Sequence, residues 1–502
     1  MKKLSILIVL FAALMLKTTS CSQDFLDTSP TDRVTLADLT NSFADARTLL
    51  VGVNRSRFIA SDPTGAPQQA LSGETVITDM LDFLGGDLFR LGANCQLSFW
   101  VQNGPSHAIS ETSWAVALPW NRLWQIISPL NQLLSIMPDV QNISDPQRNW
   151  LTAQALTYRA HFFHMLVRMY APAYHHSPDE LGIPLVLEQS VHGVARSTVR
   201  ESYQQIEGDL LEAVRLMGEP GVGAVAAAHD KTFASLRVMH GLLSRVYLDM
   251  HNWTQAAYFA NLAGAGVPLM SRAQFMEGFS VVNPEWMWAA FVPQDENSGW
   301  ADRWLRISNR PGMQTTSWGY TININQLLVN HTDSANDVRI GELMNHHGGS
   351  ALAYDKFHNP FGTAYDLVYM RGAEMMLNEA EALLMAGTDI ARARTLVQDL
   401  INARIDDGGA IAATLTTMTP EELLAELKMQ RRIELWGEGH RFFDLKRRGE
   451  TMTRIGSGAN LPGIDARTHT VANPQSVYWT FRIPERETRI NPIVVQNPEW
   501  DW

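Results

Sequence analysis

From Leu36 onward the dominant pattern is apolar residues at helical spacing. In LADLTNSFADARTLLVGVNRSRF, residues Leu36, Leu39, Phe43, Ala46 and Leu50 fall on one face, which predicts an amphipathic helix. ETSWAVALPWNRLWQIISPLNQLLSIM predicts a second, interrupted by Pro119 and Pro129. WLTAQALTYRAHFFHMLVRMYA is apolar on more than one side and predicts a central buried helix. Trp114, Trp120 and Trp124 lie on helical spacing and are assigned to the core. Trp286 and Trp288 alternate as in a strand, with one of the two expected inside.

Helices then come in pairs. TFASLRVMHGLLSRVYLDMHNWTQAAYFANLAGA reads as two helices joined near His251–Asn252, with Gly241 small enough for close approach. DLVYMRGAEMMLNEAEALLMAGTDIARARTLVQDLINARI repeats the plan, with Gly387 as C-cap and Asp389 as the next N-cap. Small residues at the contact, a short turn and an apolar rim form the tetratricopeptide pattern. The units are unevenly spaced because two long non-helical insertions separate them, near 73–113 and 279–356. Structureless stretches of that length are uncommon unless functional or disordered. Their aromatic content argues against disorder.

Composition sharpens this picture. The chain has 502 residues, 45% hydrophobic and 18% charged, enough apolar material for a large core. A net charge of −12 without a basic patch makes a poor nucleic-acid binder. Only Cys21 and Cys95 are present, so no disulfide framework is expected. Fifteen tryptophans is a high count, and several lie in Gly- and Asn-rich parts of the insertions. Sugars offer apolar C–H faces rimmed by hydroxyls, so their sites combine flat rings with amide, carboxylate or guanidinium groups. The first insertion supplies Phe99, Trp100, Gln102 and Asn103, with Arg90 and Asn94 nearby. The second supplies Trp300, Arg303, Trp304, Asn309, Trp318 and Tyr320. Trp100 with Asn103 is the leading pair, followed by Trp304 and Trp318. Affinity for such a site is expected in the micromolar to millimolar range, about −8 to −4 kcal/mol.

The N-terminus reads as a targeting segment. Residues 1–20 have a basic start and a short apolar run, too short to span a bilayer stably. Cys21 stands just beyond the run, as in the lipobox of bacterial lipoproteins, although Thr18 and Lys17 depart from that pattern. Lipidation at Cys21 would leave 21–35 as a tether and 36–502 as one helical domain with its insertions. Two acyl signals suffice for stable anchoring.

Late in the chain, EELLAELKMQRRIELWGEGHRFFDLKRRG places Leu423, Leu424, Leu427, Ile433 and Trp436 along a helix that Gly437 and Gly439 break. Arg431–Glu434 and Glu438–Arg441 fall three apart, within reach of same-face pairing. A glycosidase needs two carboxylates facing across a cleft, about 5–9.5 Å apart. Glu434 and Glu438 instead share a segment crowded with arginines, which lowers both pKa values. Arg431, Arg432, Glu434, Glu438, Arg441 and Asp444 therefore read as a structural brace for the helical frame.

These features together resemble the RagB/SusD family of outer-membrane lipoproteins. The resemblance rests on CSQDFLDTSP, on YMRGAEMMLNEAEAL with INARI, on RRIELWGEGHRFFDLKRRG, and on the ending FRIPERETRINPIVVQNPEW. It implies a mainly α fold of about four tetratricopeptide-like helix pairs whose irregular insertions bind nutrient. It also implies an oligosaccharide ligand, a TonB-dependent outer-membrane transporter as partner, and a position on the cell surface. Peptide or glycopeptide cargo on the same fold is one alternative. A lipoprotein glycosidase and a purely structural transporter subunit are two others. No hydrolase elbow, phosphate loop or dinucleotide fingerprint appears. Metal-site spacing is lacking around His161, His164, His175, His176, His346 and His347. HTDSANDVRIGEL approaches a calcium loop, but Ala335 replaces a ligand and the required glycine is missing. No cofactor is expected, with a structural calcium ion at loop carboxylates such as Asp295 and Glu296 left open.

Overall fold

The computed structural model describes residues 38–59, 73–91, 110–189, 192–226, 230–279, 281–293, 321–324, 331, 336–339, 356–357, 366–406, 409–452 and 479–498. Of these, 88–91, 321–324 and 409–410 are described by their backbone. The first half carries α1 (Phe43–Ser56), α2 (Glu74–Gly85), β1 (Leu88–Leu91), α3 (Trp114–Ile136), α4 (Asp145–Tyr170), β2 (Leu181–Pro184), β3 (Arg196–Thr198) and α5 (Val199–Met217). The second half carries α6 (Leu236–Asp249), α7 (Trp253–Gly264), α8 (Arg272–Met276), β4 (Trp286–Ala290), β5 (Thr321–Ile324) and β6 (Leu367–Arg371). It continues with α9 (Gly372–Ala386), α10 (Ile390–Arg404), α11 (Gly409–Leu415), α12 (Pro420–Leu435), α13 (Arg441–Arg448) and α14 (Glu485–Ile490).

The body is a helix-pair scaffold of the tetratricopeptide kind. Each long helix packs on its neighbours in order: α3 on α4, α4 on α5, α5 on α6, α6 on α7, α7 on α9 and α9 on α10. Capping explains many of the boundaries. Ser144, Thr198, Ser271 and Thr419 each form a capping box with the Gln or Glu three residues on. Asp389 caps α10 through the Arg392 amide, and Gly387 closes α9 in the left-handed region at φ 66°. Between α6 and α7, Asn252 accepts from the Gln255 amide. Gly241 on α6 faces Met370, and a Cβ there would lie 2.4 Å from its sulfur, so glycine permits the contact with β6.

The central helix is α4, with residues buried on every side, among them Trp150, Tyr158, Phe162, Phe163 and Tyr170. One hydrophobic cluster runs from Leu39 to Val494, and a second joins α9, α10 and α12. Three expectations change. The first insertion, read as non-helical, opens with the buried helix α2 over Glu74–Gly85. Pro119 and Pro129 do not interrupt α3, which runs through both. An interior proline costs about 3 kcal/mol or more. Leu118, Trp120, Leu123, Ile126, Ile127 and Leu130 are all buried around them, and each such side chain contributes about 1.5–3 kcal/mol. The strand β4 buries both Trp286 and Trp288, because it is covered on both faces. Trp286 neighbours Phe279, whereas Trp288 meets Tyr158, His161 and Tyr369.

Three two-stranded antiparallel ladders decorate this body: β1 with β5, β2 with β3, and β4 with β6. In the last, Ala290 pairs with Leu367, which brings the two ends of 291–366 together. Among the described residues, no helix is long and apolar enough to cross a membrane.

Candidate functional site

The ladder between β1 and β5 joins the two insertions. Leu88 stands opposite Ile324, Phe89 opposite Asn323, Arg90 opposite Ile322, and Leu91 opposite Thr321. Because the strands are antiparallel, the chain leaves β1 toward Asn94 and Trp100 at the same end where it enters β5 from Trp318 and Tyr320. Of the candidate ligand residues, Arg90 lies in β1, described by its backbone. Asn94, Trp100, Asn103, Trp300, Arg303, Trp304, Trp318 and Tyr320 lie outside the described residues, as do Cys21, Asp295, Glu296 and Ala335.

Beneath this ladder sits the charged stretch, and its partners are not the local ones. Arg431 does not settle on Glu434 but donates to Asp444 at 2.6 Å and to Asn378 at 2.6 Å. Glu434 is fully buried and accepts from Arg371 at 2.6 Å and Arg404 at 3.0 Å, with Arg339 at 3.6 Å. Glu285 completes the group through Arg371 and Arg404. Glu438 turns to Arg371 at 2.8 Å and Lys356 at 2.6 Å rather than to Arg441. Arg441 lies 3.9 Å from Asp87 and 3.8 Å from Glu450. Burial and the adjacent Arg432 push its pKa down to about 10. The left-handed turns at Gly437 and Gly439 swing the chain away from the helical direction, which is why i,i+3 spacing fails between Glu438 and Arg441.

Electrostatics follow from this geometry. Burial works to raise the Glu434 carboxyl, but Arg404, Arg371 and Arg339 outweigh it and hold it well below the usual range. Burial is likewise outweighed at Glu438 by Arg371 and Lys356, leaving it at about 2. Neither carboxyl can donate a proton near neutral pH, so this pair lacks the general acid that glycoside hydrolysis requires. Lys356 is pushed down by burial to about 8, only partly offset by Glu438. Among the described residues, no group of three or more His, Cys, Asp or Glu could hold a metal ion.

The network reaches into both insertions, which sequence spacing did not reveal. Toward the first, Arg432 donates to Asp87 at 2.5 Å, one residue before β1, and the Gly439 amide donates to Asp82 at 3.1 Å. Toward the second, Lys356 donates to the Glu434 and Trp436 carbonyls, and Arg339 donates to Gln430 and Asp337. Asp337 bridges Ile405, and His331 meets Glu426 at 2.9 Å. Gly437 leaves room for Phe357, whose ring would lie 2.4 Å from a Cβ at that position. The only sequence signal for these contacts was the density of charge. Their partners lie tens to hundreds of residues away.

Comparison with known proteins follows this geometry. A model described as the SusD family matches residues 280–500. A second, described as starch-binding associating with outer membrane, matches residues 91–248. No curated protein matches the chain. Among solved structures, a SusD-like carbohydrate binding protein from Bacteroides vulgatus ATCC 8482 is similar at TM-score 0.75 and 22% identity, covering 90% of this chain and 97% of that one. A SusD superfamily protein from Bacteroides thetaiotaomicron VPI-5482 aligns at TM-score 0.72 and 22% identity, over 91% and 100% of the two chains. A laminarin binding SusD-like protein aligns at TM-score 0.66 and 20% identity, over 92% and 100%. At these identities the structural matches speak for the fold.

Proposed function

We propose, from the premise that this chain belongs to the SusD/RagB family, that it is a non-catalytic surface protein binding oligosaccharide for a TonB-dependent outer-membrane transporter. The observation that carries the reading is the β1–β5 ladder, which binds the two aromatic-rich insertions to each other above a buried ionic base. A receptor loop must be held in place before it meets its ligand, since each side chain ordered on binding costs about 0.5–1.5 kcal/mol. Two excursions paired strand to strand and anchored on a buried ionic network meet that need. Trp100 and Asn103 from one side, with Trp304, Trp318 and Tyr320 from the other, are the proposed contact residues. Arg90, Asn94, Trp300 and Arg303 complete the set. Lipidation at Cys21 would hold the protein on the outer membrane facing the exterior. The family description of association with that membrane and the laminarin-binding relative both support this assignment.

Calorimetry against β-glucan, starch-type and acidic oligosaccharides, with a peptide panel, tests the reading. Saturable glycan binding that weakens at least about tenfold, or 1.4 kcal/mol, in Trp100→Ala and Trp318→Ala is expected. Binding of peptides alone would overturn the cargo. Release of reducing ends by the purified protein, abolished by one carboxylate substitution, would establish a glycosidase instead.

A further inference from the structure

A second group of chemically active side chains lies on the helical body, away in sequence from both insertions. It surrounds a shallow, solvent-open notch, with room for about one water-sized group, between the end of α4, the segment after it, α5, α6 and α13. Arg168, Tyr174, Tyr203, Asp249 and Lys446 line it. The Arg168 guanidinium lies 3.8 Å over the Phe443 ring, with Nε 3.8 Å from Asp249 Oδ2 and donating weakly to the His164 carbonyl at 3.4 Å. That same Asp249 oxygen already accepts from His164 Nε2 at 2.7 Å and from the Tyr203 hydroxyl at 3.1 Å. Lys446 Nζ is buried and donates to the Arg168 and Ala171 carbonyls, each at 2.6 Å.

The charge count in this cleft is unequal. Arg447 is matched separately by Glu381 at 2.7 Å and by Asp444 at 2.9 Å. Burial holds His164 down at about 4, so it is neutral near pH 7. Among the lining residues, Arg168 and Lys446 therefore share one carboxylate, that of Asp249. Burial correspondingly pulls both cations down, Lys446 to about 7. A buried cation short of a counter-charge is costly, and a second carboxylate entering the cleft would relieve that cost.

Beside the opening is a stack of rings. His251, held at φ 57°, lies 3.8 Å from His175 and 4.5 Å from Trp253, nearly parallel to both. Its Nε2 is 2.9 Å from the Arg447 carbonyl, which ties the stack to the cleft wall. Tyr174 continues the aromatic surface inward, 5.0 Å from Tyr203. A left-handed backbone at a residue other than glycine is uncommon, and this one keeps the ring between its neighbours.

We propose that this cleft is a second ligand site, which takes the carboxylate of an acidic saccharide between Arg168 and Lys446 while the sugar ring rests on Tyr174 and His175. The notch holds only about one water-sized group, so it admits a single carboxylate oxygen and leaves the rest of the ligand on the surface. This site is separate from the excursions and stands whether or not they bind glycan.

Ligand-observed NMR on the full mature chain, titrated with glucuronate, glucose and acetate, tests it. Glucuronate is expected to bind in the millimolar range, at least about tenfold more tightly than glucose or acetate. Binding should survive Trp304→Ala and Trp318→Ala, and fall at least about tenfold in Arg168→Met and in Tyr174→Ala. Tyr174 is only partly buried at the edge of the core, so its variant keeps the test sound if Arg168→Met fails to fold. Equal binding of acetate would overturn the saccharide assignment. Glucuronate binding lost in the tryptophan variants but intact in Tyr174→Ala would place the ligand on the excursions, and absence of binding would sink the site. Loss of neutral-glycan binding elsewhere would not touch it.

Discussion

Two ion pairs with the same spacing in sequence behave in opposite ways. On α5, Glu212 and Arg215 are three apart and meet at 2.8 Å, with side chains 46% and 57% exposed. On α12, Arg431 and Glu434 are also three apart, yet Arg431 turns to Asp444 and Asn378 and Glu434 to Arg371 and Arg404. Spacing fixes what a side chain can reach. Burial decides what it must reach, because an enclosed carboxylate needs several donors and one neighbour on its own helix cannot supply them. The exposed pair contributes little, because water screens it. The buried one joins β6, α10 and α12 around a shared carboxylate.

That contrast is sharpest under mutation. Glu434→Ala should cost about 3–5 kcal/mol, since it strands Arg371 and Arg404 without water. Chemical denaturation would show it, and an unchanged midpoint would mean that the network is dispensable.

Acid should act in the same direction through several groups at once. His161, His164 and His440 are held by burial at about 4, below their usual value, so stability falls as pH drops below the unfolded value near 6.5. Glu74 and Glu438 lie at about 2 because Arg57 and Arg371 respectively outweigh burial. Their contribution, full above about pH 4.5, is lost between there and pH 2. A melting temperature flat from pH 7 to pH 3 would contradict this.

A smaller effect is expected at the α6 contact. Gly241→Val places atoms against the Met370 sulfur and should cost about 1–3 kcal/mol through overpacking, measured as a shifted unfolding midpoint. The smallest belongs to the exposed pair. Arg215→Ala should leave the unfolding midpoint nearly unchanged, and a double-mutant cycle with Glu212→Ala should show coupling far below that of Arg371 with Glu434.

Legibility in the sequence follows the range of the interaction concerned. The α9–α10 turn was readable from Gly387 and Asp389, because capping is decided within a few residues. The buried character of α4 was readable from its all-round apolar pattern. The continuity of α3 was not, since proline's local penalty is visible and the compensating core is not. The β1–β5 pairing was equally hidden, because the partners lie over two hundred residues apart and both strands are short. As for the charged stretch, its residues could be named but not its partners, which come from segments spread along the chain from Asp82 to Arg404. The aromatic candidates of the insertions were legible as residue types, and the ladder specifies which ends of the two chains approach each other.

The pairing of Ala290 with Leu367 has a consequence for how such proteins diversify. The chain leaves the body after Ala290 and is tied back to it at β5, at Asp337–Arg339 and at Lys356, so the stretches between those anchors can change in length while the neighbouring helices keep their seats. The entropic cost of a longer flexible loop grows only logarithmically, about 0.6 kcal/mol per doubling. An ancestral frame could thus acquire new cargo preferences by exchanging these stretches, provided that the replacement kept a cation to occupy the socket now filled by Lys356.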